Sequence, residues 1–417
     1  MKKALIVYPL CFLLLILLFF GSMWTVYRIP HEKLQENIDE ANLLIDQEGS
    51  YPLYFFGSQA SRLDNFTDRL MINTNRDVKK NDPLYNAMSN AGYSRYWHGY
   101  MTVLRPMLTL FSLQEIRYIS TVAFFLLILA VFCKMQKMAG RLSALSFILM
   151  LSCLFILAVP TSLQFQSVFY ILFISLLALL YLYPHLPERY IPLLFMTVGA
   201  VTNFFDLLTA PLLTMGVPLA LYLLLSVRDG APWLYCLRRI LLNGFSWVLG
   251  YGLCWAAKWA IGGAITDTDI FQVAITAIFF RTSGNEDMPV DRLETVSDNF
   301  HIVFDYAPVY LTLIIALSAL LVLAILSRPA PKKLAGSVLF LPIAALPYMW
   351  FFVLANHSSL HVYFTYRIQG IAVFALALAL VMLIDRERIG TSLLFLKQKC
   401  LAGWAWLKSR LPSREAN

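Results

Sequence analysis

The sequence predicts an all-α polytopic membrane protein, with about ten transmembrane helices and amphipathic helices in a long first polar loop. Three observations carry this. Of the 417 residues, 59% are hydrophobic and only 14% charged, whereas soluble domains run nearer a quarter charged. Apolar runs long enough to cross a bilayer recur along the chain. Many of the Lys and Arg residues sit in every second loop between those runs, the bias that orients membrane proteins. The net charge of +8 is therefore read as an orientation signal and not as a nucleic-acid footprint.

The spans fall at 4–27, 116–133, 142–160, 163–183, 190–205, 208–226, 240–263, 306–327, 335–354 and 362–384. The first follows Lys2 and Lys3. Its apolar run is longer than a signal-peptide core, and Gly21-Ser22-Met23-Trp24 is a poor cleavage site, so an uncleaved helix is expected. The 190–205 run is short. It and 208–226 read either as two spans or as a re-entrant pair, which is tolerated only where it lines a cavity. Basic residues at Lys2 and Lys3, at Lys134, Lys137 and Arg141, at Arg189, at Arg228, Arg238 and Arg239, at Arg328, Lys332 and Lys333, and at Arg386 and Arg388 all fall on one side. That side is cytoplasmic, with both termini inside.

Two longer polar segments remain outside, 28–115 and 266–305. In the first, Leu34, Ile38, Leu44 and Ile45 repeat at helical spacing, so 31–47 is a helix resting on the membrane or the spans, or simply on the surface. Residues 64–73 form a second helix with an apolar stripe of Leu63, Phe66, Leu70 and Met71. Residues 74–83 are a solvated loop. From Thr391 onward, Leu393, Leu394, Leu396, Leu401, Trp404, Trp406 and Leu407 among Lys397, Lys399, Lys408 and Arg410 read as a basic amphipathic tail on the inner leaflet. The domain reading is 1–390 for the membrane domain with its loops and 391–417 for the tail. None of Cys11, Cys133, Cys153, Cys236, Cys254 and Cys400 lies in an outer loop or a C-x-x-C pair, so neither disulfides nor zinc are expected.

The residues that could carry chemistry lie at the outer side. Asp64 and Asp68 are four apart, on one face of a helix, beside Arg62 and Arg69. They are either loop acids paired with those arginines or a general base at the lipid boundary. In 93–106, aromatic and cationic residues alternate. Trp97, His98 and Arg105 offer flat faces and a phosphate fork, or belong to an interfacial aromatic belt. Asp206 stands between two apolar runs, where a carboxylate is costly unless it faces water, protein or a ligand. Lys258 snorkels or meets an anionic lipid phosphate. Arg281 is a surface arginine or a phosphate ligand. Asn356-His357-Ser358-Ser359-Leu360-His361 and Arg367 bring two imidazoles and a guanidinium to one tight turn, which folding alone explains poorly. H-x-x-x-H without a third ligand is a weak zinc signal, and there is no P-loop, G-x-G-x-x-G or G-x-S-x-G motif. No cofactor is called for, and a divalent metal is not indicated.

The layout resembles the GT-C fold glycosyltransferases as topology over most of the chain. Among motifs, the resemblance rests on Leu63-Asp64-Asn65-Phe66-Thr67-Asp68, the Asp206 turn, and Asn356-His357-Ser358 through Arg367. It implies transfer of a sugar from a polyprenyl-phosphate donor at the outer face, with inversion. It further implies Asp64 or Asp68 as the base, and Arg281, Arg367, Lys258, His361 and His357 at the donor phosphate. His98, Arg105, Trp97 and Asp206 would then contact substrate. Asp64 stands further beyond the first span than the acid of many such enzymes, and Glu32 and Glu36 lie nearer. In size the chain is similar to the bacterial serotype-converting O-antigen glucosyltransferases. That narrower likeness implies an inner-membrane enzyme with a periplasmic site, an undecaprenyl-phosphate glucose donor, and a polysaccharide or lipid-linked glycan acceptor. The alternatives are an O-antigen or capsule polymerase, and a transporter or flippase, which would place charges near mid-membrane and show internal repeats.

Overall fold

The computed structural model describes residues 2–55 and 57–410 of the chain. The protein is a multi-pass membrane protein built almost wholly of helices, with one short ribbon pairing Gly284–Asn285 and Met288–Pro289. Among the described residues, seven helices are long and apolar enough to cross a membrane: Ile6–Val26, Leu113–Ala139, Leu163–Leu182, Trp233–Thr266, Ala307–Leu326, Pro331–Val353 and Val362–Leu383. The other three expected spans form the shorter helices Arg141–Cys153, Ile191–Phe205 and Leu213–Arg228, of 13, 15 and 16 residues. A helix rises about 1.5 Å per residue, so each falls short of a hydrocarbon core of about 30 Å. Their ends have local causes. Phe155 turns left-handed at φ 50 after Cys153. Asp206 is extended, at φ −90 and ψ 143, and breaks the helix that Phe205 ends.

Burial sorts the helices. The Val362–Leu383 span is 83% buried and lies at the centre, whereas Ala307–Leu326 and Ile6–Val26 are each 17% buried and line the edge. This is why Gly370–Leu383 carries apolar residues on every face. Two glycines set the closest approach. A Cβ on Gly199 would lie 2.1 Å from the Trp247 carbonyl oxygen, and one on Gly250 would lie 2.0 Å from that of Met196. Both contacts are backbone and cannot swing aside. Gly250→Ala is therefore expected to force the Ile191–Phe205 and Trp233–Thr266 helices apart and cost about 1–3 kcal/mol. Thermal unfolding of the detergent-solubilised protein measures it.

The first polar segment is a structured cap. The Gln35–Glu48 helix buries Ile38, Ala41 and Ile45 against a cluster with Phe19, Met23 and Tyr27 of the first span. The Asn65–Asn73 helix keeps half of its expected stripe. Leu63 and Met71 are buried, with Ile72, while Phe66 is 60% and Leu70 36% exposed. The reason is that Asp68 occupies the inward position that Phe66 and Leu70 would need.

In the second polar segment an apolar helix, Ile270–Ser283, was not expected from the sequence. Asp269 starts it by accepting the Gln272 backbone N–H at 3.0 Å. The C-terminal helix Arg386–Arg410 forms, with Leu394, Leu401 and Trp404 exposed. The side chains of Leu393, Leu396, Leu407, Lys408 and Arg410, and residues 411–417, lie outside the described residues.

Candidate functional site

Asp64 and Asp68 share a short helix but do different things. Asp64 is the N-cap. Its Oδ1 accepts the Thr67 backbone N–H at 3.0 Å, and Oδ2 accepts the Thr67 hydroxyl at 2.8 Å. Oδ2 also accepts the Tyr363 hydroxyl at 3.3 Å. Burial holds the Asp64 carboxyl above the usual carboxylate range, opposed by the donors on Thr67 and Tyr363.

Asp68 is enclosed. Its Oδ1 accepts the Ser162 hydroxyl at 3.0 Å and the Gln164 N–H at 2.9 Å, and Oδ2 accepts the Leu163 N–H at 2.9 Å. The carboxyl thus caps the Leu163–Leu182 helix from a distant part of the chain, where the helix dipole favours an anion. Burial pushes it up to about 7. Asp64 is 1% and Asp68 0% exposed, and both oxygens of each are engaged; they differ in that Asp68 ties down a membrane helix, whereas Asp64 caps only its own short helix and meets Tyr363. Glu32 and Glu36 are exposed.

From Asp64 a line of side chains runs to Arg281. Tyr363, which donates to Asp64, has its ring 6.3 Å from that of His361. The His361 ring lies 4.9 Å from His357. Arg281 donates to His357 Nδ1 at 2.5 Å, and His357 Nε2–H donates to the Leu208 carbonyl at 2.9 Å. These partners assign the neutral imidazole, protonated on Nε2. Burial and the Arg281 charge hold His357 well below its ordinary value and bring His361 down to about 4. His361 Nδ1 has no hydrogen-bond partner. Asn356 Nδ2 donates to the Phe280 carbonyl at 2.9 Å and fastens the Ile270–Ser283 helix to this turn.

Leu208 brings in Asp206. The Asp206 oxygens accept the Thr209 N–H at 3.2 and 3.0 Å, closing a turn in which Leu208 adopts φ 69. Asp206 is 2% exposed, and burial pushes it up to about 7.

Five other expected contacts serve the fold instead. Arg367 is fully buried and donates to the carbonyls of Leu154 at 3.3 Å, Tyr363 at 2.9 Å and Ala60 at 3.3 Å, with the Phe165 ring 4.3 Å away. It joins three segments, which corrects its placement at a donor phosphate. Lys258, also fully buried, donates to the Met88 carbonyl at 2.7 Å. Trp97 donates to the Cys254 carbonyl at 2.9 Å. His98 bonds the Tyr100 hydroxyl at 2.7 Å and the Tyr93 carbonyl at 2.9 Å, and burial brings it down to about 3. Arg105 donates to the Ile29 carbonyl at 2.7 Å and to Asp77 Oδ1 at 3.1 Å, with the Tyr27 ring 4.6 Å away. Buried polar groups need such partners, and each of these has found one in the protein.

Sequence reasoning missed Tyr363. A tyrosine at a lipid boundary reads as part of an aromatic belt, and its only signal was its place between His361 and Arg367. Among the described residues, no three His, Cys, Asp or Glu side chains converge as a metal site. An apolar cavity of about 590 Å³ opens between the Leu113–Ala139, Leu163–Leu182 and Ile191–Phe205 helices. Its lining includes Leu163, whose N–H Asp68 binds, and Phe205, which precedes Asp206. Comparison of the chain with protein-family models, curated proteins and solved structures finds no match.

Proposed function

We propose that the protein is an inverting membrane glycosyltransferase. It moves a sugar, glucose in the narrowest reading, from an undecaprenyl-phosphate-linked donor to a surface polysaccharide such as O-antigen. The carrying observation is the continuity from the Asp64 carboxylate through Tyr363, His361 and His357 to Arg281. Transfer from a sugar phosphate requires a base for the acceptor and a cation for the departing phosphate, and this line of side chains carries one at each end. Asp64 takes the proton of the acceptor hydroxyl, whose oxygen forms the new bond to the anomeric carbon. The bond from that carbon to the phosphate oxygen breaks on the opposite face. The departing lipid phosphate keeps the electron pair, and its charge is met by Arg281. Neutral His357 and His361 line the path without adding charge.

The apolar cavity supports a lipid-linked donor. It ends beside Phe205, so a hydrocarbon chain lying in it would bring its head group to the Asp206 turn. The basic loops support a periplasmic position for this end of the bundle, in a bacterial inner membrane with both termini in the cytoplasm. Structural analysis of the surface polysaccharide with and without the gene tests the reading. The expected result is a branch sugar present only with the gene. A change of chain length with unaltered repeat structure would point to a polymerase instead.

A further inference from the structure

Four side chains beside Asp206 carry buried polar atoms without a close hydrogen bond, although the Asn203 amide and the Tyr251 hydroxyl face each other. They are Asn203, at both atoms of its amide, Thr209 and Tyr251, at their hydroxyls, and Trp255, at its indole N–H. Asn203 and Thr209 are each 1% exposed, and Tyr251 is 8% exposed. Buried polar groups are normally paired, so several unpaired ones in one place call for an occupant. They do share one place. Asn203 is on the last turn before Asp206, and Thr209 is bound to Asp206 through its N–H. Tyr251 and Trp255 are a turn apart on the Trp233–Thr266 helix, with ring centroids 5.3 Å apart, and Trp255 is 6.0 Å from Tyr96. Tyr251 lies beside Asn203 and within electrostatic reach of Asp206, Tyr96 and Arg281. At the rim, Trp255, Tyr93 and Arg281 are half-buried, so the bay faces Arg281.

We propose that this bay seats the pyranose ring of a sugar substrate, an inference that rests on the transferase reading. Its walls are flat aromatic rings, which suit the C–H faces of a sugar. Its floor offers an amide and two hydroxyls and its rim an indole N–H, which suit ring hydroxyls as donors and acceptors. The floor carries no cation, and the carboxyl beside it, Asp206, is an acid. A phosphate therefore belongs at the rim with Arg281, and the sugar attached to it, or the acceptor sugar, belongs below.

The test uses the full chain in lipid nanodiscs with 5-fluorotryptophan, the Trp255 resonance being assigned by its loss in Trp255→Phe. Three probes are added separately: polyprenyl-phosphate glucose, bare polyprenyl phosphate, and a soluble O-antigen oligosaccharide. Trp255 is expected to shift with a sugar-bearing probe and not with bare polyprenyl phosphate; which one shifts it separates donor from acceptor. Tyr251→Phe and Thr209→Val remove hydroxyls reserved for a ligand. They should leave the Tm of the ligand-free protein unchanged or raised, and weaken the sugar-dependent shift about tenfold. A silent Trp255 with every sugar overturns the bay even if transfer is observed. So does a fall in Tm in both variants with an unchanged sugar response, since the hydroxyls would then serve the fold. A Trp255 shift with oligosaccharide, together with no transfer from any polyprenyl-phosphate sugar, upholds the bay and overturns the transferase reading.

Discussion

Asp64→Asn is expected to lower kcat for sugar transfer by about 10²–10⁴-fold, the range lost with a positioned general base, while the protein still folds. Asparagine caps helices as well as aspartate, so the Thr67 N–H keeps its acceptor. The amide nitrogen replaces Oδ2, so the Thr67 and Tyr363 hydroxyls must turn from donors to acceptors, and proton acceptance is lost. The pH profile provides an independent check. A base acts when ionised, so activity falls as pH drops through its pKa. Burial raises the Asp64 pKa, and the acid limb should therefore lie above the usual carboxylate value of about 4. The Tyr363 hydroxyl donates to the carboxylate and favours its charged form. Tyr363→Phe should therefore move the acid limb to still higher pH, leaving the plateau activity above it largely in place. An Asp64→Asn enzyme with wild-type turnover would remove the base from the mechanism. Transfer is measured with a polyprenyl-phosphate sugar and purified acceptor glycan.

Much of the fold was legible because a bilayer imposes a length. Seven apolar runs were long enough to declare themselves, and they form the long helices. The three that fall short are ended by local events, such as the left-handed Phe155 and the extended Asp206, whose cost is met by tertiary contacts no single segment displays. The Ile270–Ser283 helix was hidden within a segment classed as polar from its flanks.

The site was legible in kind but not in membership. Costly residues at a lipid boundary need a reason, and two kinds of reason exist. Asp64, His357, His361, Arg281 and Asp206 gather on one line. Arg367 and Lys258 found backbone carbonyls, and Asp68 found a helix N-terminus. Composition cannot distinguish these cases, because a carbonyl partner leaves no trace in the side-chain sequence. The unpaired hydroxyl of Thr209 and indole N–H of Trp255 were illegible for the opposite reason: threonine and tryptophan in or beside a span are unremarkable until their partners are shown to be missing.

Arg281→Met should cost about 10²–10³-fold in kcat/KM, the range seen when a charge-stabilising donor is lost from a reacting centre. The guanidinium is held against His357 Nδ1, on a helix fastened by Asn356, so it is positioned before any donor arrives. Methionine keeps the apolar length of the side chain and removes the charge and its donors. A second consequence follows from the same charge. Arg281 helps hold His357 and His361 in their neutral forms, and its loss lets their pKa values rise toward the ordinary imidazole range. The variant should therefore acquire a histidine titration by NMR at a higher pH than wild type, in a protein of unchanged fold. Arg281→Lys restores a point charge but not the planar fork, and should recover only part of the lost rate. Loss of rate without any upward movement of the His361 titration would mean that Arg281 acts through the shape of its helix and not through its charge.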